Sequence, residues 1–173
     1  AVATRNPERG QSFAAHHGGT WHADYRALLA QDAKRVDAIA ICAPHDLHAP
    51  ITIDAAAARK HVLVEKPMAR NTAECDAMIA AGDQANVTLG VVFQMRFEPL
   101  SRKLKTLIDG GVLGRLLWVS ASMSWYRSDE YYRSGPWRGT WAHEGGGVLI
   151  NQAVHVIDLM LWLSAPAMPT RVT

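Results

Sequence analysis

Cysteine is scarce in this chain. Cys42 and Cys75 are the only two among 173 residues, which excludes a disulfide-stapled scaffold. One lies in an expected strand and the other on an expected helix, so both read as reduced core or near-core thiols of a cytoplasmic protein. A field of one charge sign is also lacking. Lys and Arg number 18 against 16 Asp and Glu, for a net charge of +2 with no basic block, and nothing points to nucleic acid. No run of about 18 uncharged apolar residues occurs, so no membrane-spanning helix is expected. The most apolar stretch, Val148–Leu163, is too short and carries His155 and Asp158. The opening residues lack the basic, apolar and small-residue order of a signal peptide. Repeats and low-complexity tracts are missing. The pairs His16/His17, His45/His48 and His143/His155 have no Cys or acidic companion at zinc-ligand spacing, so no metal is expected.

What is present is alternation. Ala1–Ala3 reads as a strand, and Pro7 opens a helix to about His17 that Gly18-Gly19 ends. Asp24 caps a short helix through Ala30. Val36–Cys42 is a strand, His48–Arg59 an alanine-rich helix and His61–Glu65 a strand. A helix runs from Thr72 to about Ala85, with an imperfect capping box in which Cys75 stands where an acid belongs. Val87–Phe93 is the next strand. This order argues a parallel sheet with helices on both faces. Pro99 then opens a helix to Ile108, stopped by Asp109-Gly110-Gly111, and Leu116–Tyr126 alternates as a half-buried strand of a second sheet.

Three segments carry chemistry. In the first, Glu144-Gly145-Gly146-Gly147 leads into an apolar helix interrupted by Asn151, His155 and Asp158, at spacings of four and three that put them on one stripe. Such a stripe faces a cavity or is satisfied inside a core; leaving it buried and unpaired costs roughly 1–3 kcal/mol per group. In the second, the strand of Val62–Val64 ends in Glu65-Lys66-Pro67. A lysine at the carboxyl end of a parallel strand stands where open α/β sheets place ligands, and desolvation fits it for acid–base work. The plainer reading is a lysine reaching water beside a glutamate. The third is the loop holding Trp125, Tyr126, Arg127, Tyr131, Tyr132, Arg133, Trp137, Arg138 and Trp141. Its aromatic faces and planar guanidinium forks suit a sugar ring or a nicotinamide, or they pack on the loop itself.

Together these segments resemble the glucose–fructose oxidoreductase / inositol dehydrogenase / rhizopine-catabolism (Gfo/Idh/MocA) family. The resemblance rests on Glu65-Lys66-Pro67 and on the Gly-Gly-Gly…Asn151-Gln152…His155…Ile157-Asp158 helix. Ala43-Pro44-His45-Asp46-Leu47-His48, Phe93-Gln94-Met95-Arg96-Phe97-Glu98-Pro99 and Leu113-Gly114-Arg115 match in the same order. It implies an α/β fold: an incomplete Rossmann-like, doubly wound parallel sheet over 1–97, then the start of an α+β substrate and oligomerisation domain with an open sheet over 98–173. It also implies an NAD(P)-dependent oxidoreductase moving hydride between nicotinamide and a carbinol carbon of a sugar or cyclitol. Lys66 and His155 become the catalytic pair, converging on one pocket. Thr4, Arg5, Ala43, Pro44, His45, His48, Glu65, Lys66 and Arg96 become cofactor contacts, and Asn151, His155, Trp125, Tyr126, Trp137 and Arg138 substrate contacts. Asn151 stands where many members have Asp, so the base is His155 or Lys66, and Asp158 is a buried, hydrogen-bonded neighbour.

The family's Gly-x-Gly-x-x-Gly turn, which cradles a pyrophosphate on a helix N-terminus, does not occur here. By resemblance it would precede Ala1, and Arg171-Val172-Thr173 would begin a further strand, so the expectation is the middle of a larger enzyme with poor dinucleotide affinity by itself. Thr4-Arg5 takes the place of the usual ribose-binding acid, which tilts the expectation from NAD towards NADP. A homo-oligomer through the second-domain sheet and a cytoplasmic location complete the reading. The alternative is a nucleotide- or sugar-binding protein without turnover, or an assembly subunit, of the same fold.

Overall fold

The alternating apolar segments of the first half form two parallel ladders in the computed structural model, which describes residues 1–167 and 169–171. Strand β1 (Val2–Ala3) pairs with β2 (Trp21–His22), Val2 opposite Trp21. Strands β3 (Ala38–Ile41), β4 (His61–Val64) and β5 (Leu89–Val91) form the second ladder in the order β3-β4-β5. Strands β3 and β5 are shorter than the segments that suggested them, because a ladder residue needs a partner opposite. The pairs Ala38–His61 and Val64–Val91 set those limits. Cys42, expected in a strand and near the core, lies just past β3 and is exposed as a residue; both thiols are free, and partial desolvation by the surrounding protein pushes each one's pKa up.

Helix α1 (Pro7–His16) starts as expected, with Pro7 in its first turn and Asn6 Oδ1 accepting from Arg9 N at 2.9 Å. Asp24 caps α2 (Tyr25–Gln31) through a 2.7 Å bond from Arg26 N. A 3-10 turn over His45–Leu47 leads into α3 (His48–Ala57). Helix α4 (Thr72–Ala85) corrects the expected cap by one residue. Asn71 is the cap, accepting from Glu74 N at 2.9 Å, so the acid missing from the Thr72–Cys75 frame is Glu74 in the Asn71 frame. Its carboxylate accepts from Arg70 N at 3.1 Å.

The expectation of helices on both sheet faces holds for one face of the β3-β4-β5 ladder. Ile41, Val62 and Val64 are buried in one cluster with Ala49, Ile51 and Ala55 of α3 and Met78 of α4. On the opposite face Ala38 and Ala40 are exposed and Leu63 is 49% exposed. Two successive crossovers of one hand, stepping the same way across a sheet, put both helices on the same side.

The chain divides into two units, Ala1–Val91 and Val92–Thr173. The second contains a 3-10 turn over Gln94–Phe97 and helices α5 (Pro99–Asp109), α6 (Asp129–Arg133), α7 (Trp141–Glu144), α8 (Val148–Asn151) and α9 (Val154–Ser164). The strand expected over 116–126 is not formed: residues 116–128 have no regular structure. No strand among the described residues of this unit stands opposite to complete a ladder. The expected continuous helix is also broken. Gln152 N and Ala153 N both donate to Val148 O, at 3.0 and 2.8 Å, and this widened turn accompanies a 48° bend between Trp141–Asn151 and Val154–Ser164. No single helix among the described residues is long and apolar enough to cross a membrane.

Candidate active site

In the first unit the strand ends define the candidate region. A cleft of about 640 Å³ lies between the ladders, lined by Val2, Ala3, Leu28, Ala40, Ile51 and Ala55 among others. From it the strand order runs outward both ways, β1 to β2 and β3 to β4 to β5. Open α/β sheets bind ligands beyond the carboxyl ends of the strands at such a switch point. Thr4 and Arg5 follow β1, Ala43 and Pro44 follow β3, and Glu65 and Lys66 follow β4. Thr4 and Lys66 are half-buried and Arg5 is exposed.

Two contacts fix these ends. Trp21 Nε1 donates to Thr4 O at 3.0 Å. The indole occupies space beside Gly10 of α1, where a Cβ would lie 2.1 Å from Trp21 Cδ1. On the other side His48 is fully buried, with Nδ1 2.8 Å from Pro67 O and Nε2 2.9 Å from Ala43 O. Its ring ties the segment after β3 to the segment after β4. Both ring nitrogens of His48, expected at a cofactor, are thus within hydrogen-bond distance of backbone carbonyls. His45 is buried beside it, ring centroids 5.6 Å apart.

The second unit gathers polar groups. Gly145, at φ 81°, ends α7 in the left-handed region that glycine tolerates, and α8 and α9 follow. Glu144 is 2% exposed. Its Oε2 accepts from Gly139 N at 2.7 Å and its Oε1 from Asn151 Nδ2 at 2.6 Å. His155 and Asp158 are buried on α9. Arg96 grips Asp158 with two donors, Nε to Oδ2 at 2.7 Å and Nη2 to Oδ1, and this carboxylate holds the guanidinium firmly protonated. So Arg96, expected at a cofactor, spends one edge of its fork on Asp158. The aromatic loop folds partly on itself. Arg138 lies 4.5 Å from the Tyr131 ring centroid and 4.4 Å from that of Trp137, and its Nη1 donates to Tyr131 Oη at 2.8 Å. Trp125 and Tyr126 remain exposed.

Asn151, His155 and Asp158 are all buried, but on two helices rather than one stripe. Sequence reasoning gave no role to Glu144. The available signal was an acid directly before the three glycines and seven residues, about two helical turns, before Asn151.

Comparison with known proteins matches the family model "Oxidoreductase family, NAD-binding Rossmann fold" over residues 1–93 and the "GFO/IDH/MocA C-terminal domain" over residues 101–173. Levoglucosan dehydrogenase of Pseudarthrobacter phenanthrenivorans is 32% identical over 94% of this chain and 41% of its own length. Myo-inositol 2-dehydrogenase of Thermotoga maritima is 28% identical over 74% of this chain and 36% of its own. Among solved structures, the WlbA dehydrogenase of Bordetella pertussis in complex with NADH and UDP-GlcNAcA superimposes with a TM-score of 0.88 at 36% identity, over 95% of this chain and 47% of that one. The chain thus spans less than half the length of these relatives.

Proposed function

This chain belongs to the Gfo/Idh/MocA oxidoreductase family, and on that footing we propose that it serves an NAD(P)-dependent dehydrogenase acting on a CH–OH group of a sugar or cyclitol. The observation that carries the reading is Lys66 at the carboxyl end of β4, in a chain whose relatives include levoglucosan dehydrogenase and myo-inositol 2-dehydrogenase. Thr4 and Arg5 fit the ribose end of a dinucleotide and the turns at Ala43-Pro44-His45 and Glu65-Lys66 its nicotinamide end; Arg96 is a further contact. A bound nicotinamide supplies the hydride chemistry.

The chain's own residues handle the proton. The alcohol must lose it as hydride leaves, so a base has to lie within hydrogen-bond reach of that hydroxyl. His155 takes this proton, and Lys66 hydrogen-bonds the same oxygen, stabilising it as negative charge develops. Asn151 is an amide and cannot act as a base; it orients the hydroxyl-bearing ligand. Trp125, Tyr126, Trp137 and Arg138 hold the sugar or cyclitol ring by stacking and forked donors. A hydroxyl followed by arginine at Thr4-Arg5 favours the 2′-phosphate of NADP over the bare ribose of NAD. Homo-oligomerisation and a cytoplasmic place of work belong to the same proposal.

The test is reduction of NAD or NADP by the intact protein with a panel of polyols. Lys66→Ala and His155→Ala should each lower kcat by about 100-fold or more, the scale of general acid–base catalysis, with unchanged circular dichroism. Arg5→Ala should weaken NADP more than NAD. Full turnover in Lys66→Ala, or nucleotide binding without any polyol oxidation, would replace this reading by a binding protein of the same fold.

A further inference from the structure

Five side chains of the aromatic loop form one continuous run in which rings and guanidiniums alternate. Arg127 lies 5.7 Å from the Trp125 ring centroid and 5.1 Å from that of Tyr131. Arg138 shares the Tyr131 ring at 4.5 Å and adds the Trp137 ring at 4.4 Å. Two cations are thus gathered on one phenol ring, against their own repulsion. Among the described residues no carboxylate neutralises either one. Of the acids in the loop, Asp129 pairs with Arg133 at 3.4 Å and Glu130 joins no ion pair. A ring face attracts a cation but carries no charge to cancel it. Nor does it consume donors, because a guanidinium donates within its own plane. Among the described residues the Arg127 side chain donates only from Nη1, to Tyr126 O at 3.2 Å, and that of Arg138 only from Nη1, to Tyr131 Oη. The remaining donors of both forks are unspent. Arg127 is exposed and Arg138 half-buried. The Arg138 end is fixed: its backbone N donates to Gly135 O at 3.1 Å, and the next residue, Gly139, donates to the Glu144 carboxylate that also accepts from Asn151.

Resting on the proposed sugar site, we infer that Arg127 and Arg138 are an anion-binding pair, built on the Tyr131 ring, that takes a phosphate ester or diphosphate carried by the sugar. Two unneutralised guanidiniums held on one ring match a group with two negative charges spread over several oxygens. A phosphomonoester carries about that charge near neutral pH, and so does the diphosphate bridge of a nucleotide-linked sugar. A carboxylate carries one charge and is served by one fork, so a sugar acid satisfies half of the pair. A neutral ring leaves both cations uncancelled. The ring contacts also fix two long side chains before the ligand arrives, which lowers the entropy lost on binding. The pair therefore narrows the substrate from sugars at large to phosphorylated ones.

The experiment is calorimetric titration of the intact protein with glucose, glucuronate, glucose 1-phosphate, uridine diphosphate glucose and inorganic pyrophosphate, and separately with NAD and NADP. At least one of the two phosphorylated sugars should bind about tenfold or more tightly than glucose and glucuronate, the size of one charge-assisted hydrogen bond. That margin should shrink as salt rises. Arg127→Gln should remove it while the affinities for glucose, NAD and NADP stay within about twofold. Arg127→Lys keeps the charge without the planar fork and should restore part of it. Tyr131→Phe keeps the shared ring and should keep most of the margin, whereas Tyr131→Leu should lose it with both charges in place. A preference for uridine diphosphate glucose assigns the diphosphate bridge, and one for glucose 1-phosphate a terminal phosphate. Pyrophosphate binding with neither sugar ester favoured over glucose marks an adventitious ion only and overturns the inference. So does a loss of NAD or NADP affinity in Arg127→Gln as large as that of the sugar ester, which would give the pair to the nucleotide. An Arg127-dependent margin without hydride transfer from any sugar would remove the dehydrogenase reading and leave the anion pair standing. Hydride transfer from neutral sugars with no phosphate margin would remove the pair alone, and a failure of every sugar to bind would remove both.

Discussion

In Ala1–Val91 the buried core contains Ile41, Val62, Val64, Ala55 and Met78, packed between a ladder and two helices. In Val92–Thr173 the buried residues among those described are Glu144, Asn151, Gln152, His155 and Asp158, without one apolar side chain in the set. Its apolar bulk is outside, with Trp118 83% exposed and Leu100, Tyr126 and Trp141 also at the surface. The first unit therefore holds its strands by hydrophobic burial, which is strong and non-directional, and adds the hydrogen bonds of Trp21 and His48 at their ends. The second places its groups by directional hydrogen bonds, which add little net stability but fix geometry. Buried polar groups are where stability and function part company; in the second unit they make up the whole buried set, while in the first His22, Asp32, His45, His48 and Thr52 are buried beside an apolar core.

Substitutions can break this contrast. Met78 is fully buried in the first unit's core, so Met78→Ala should cost about 2–5 kcal/mol of that unit's unfolding free energy in urea. A loss below about 1 kcal/mol would show that the apolar cluster does not hold the unit together. Arg96→Ala should cost the second unit roughly 2–3 kcal/mol by the same measurement. It strands the buried Asp158 carboxylate, and the figure is less than for a wholly buried pair because the Arg96 side chain is 37% exposed. Arg26→Ala makes the control, since the Arg26–Asp54 pair is largely exposed and should be worth less than about 1 kcal/mol.

The smallest expected effect sharpens the contrast by pH. Burial, then the 2.7 Å hydrogen bond to Asp54, pushes the Tyr25 phenol up to about 12. The folded state thus favours the neutral phenol. Its contribution is complete below the unfolded value near 10 and is lost as pH rises towards about 12. Tyr25→Phe should flatten the alkaline limb of a stability profile for the first unit, and an unchanged limb would show that the Tyr25 phenol does not contribute to it.

Legibility followed the same divide. The first unit's elements were readable because periodicity, caps such as Asp24 and strand-ending residues such as Lys66-Pro67 are local signals. The error at Thr72 was one of frame: Asn71 and Glu74 form the better pair, but both Asn71 and Thr72 are acceptable caps in sequence. The second unit misled more. Residues 116–126 alternate like a strand, yet a strand exists only against a partner. The apolar run after the glycines hides the widened turn at Gln152-Ala153, which is a matter of hydrogen-bond closure and not of side-chain pattern. The contacts of Glu144 with Gly139 and Asn151 were invisible in the sequence because the fold makes them. The two backbone contacts of His48 could not be read in advance, because spacing does not say whether a ring points at a ligand or at backbone carbonyls.

Gly10 has a consequence for anyone redesigning cofactor choice. A glycine inside a helix weakens it by roughly 0.5–1 kcal/mol relative to alanine, so Gly10→Ala is the sort of change a stabilisation campaign would try first. Here the added methyl would meet the Trp21 indole, which anchors the backbone of Thr4 immediately before Arg5. A variant carrying that change would displace the indole and with it the backbone at Thr4, so a library that randomises Thr4 and Arg5 to test their proposed role at the ribose is best built on a background in which Gly10 and Trp21 are held constant.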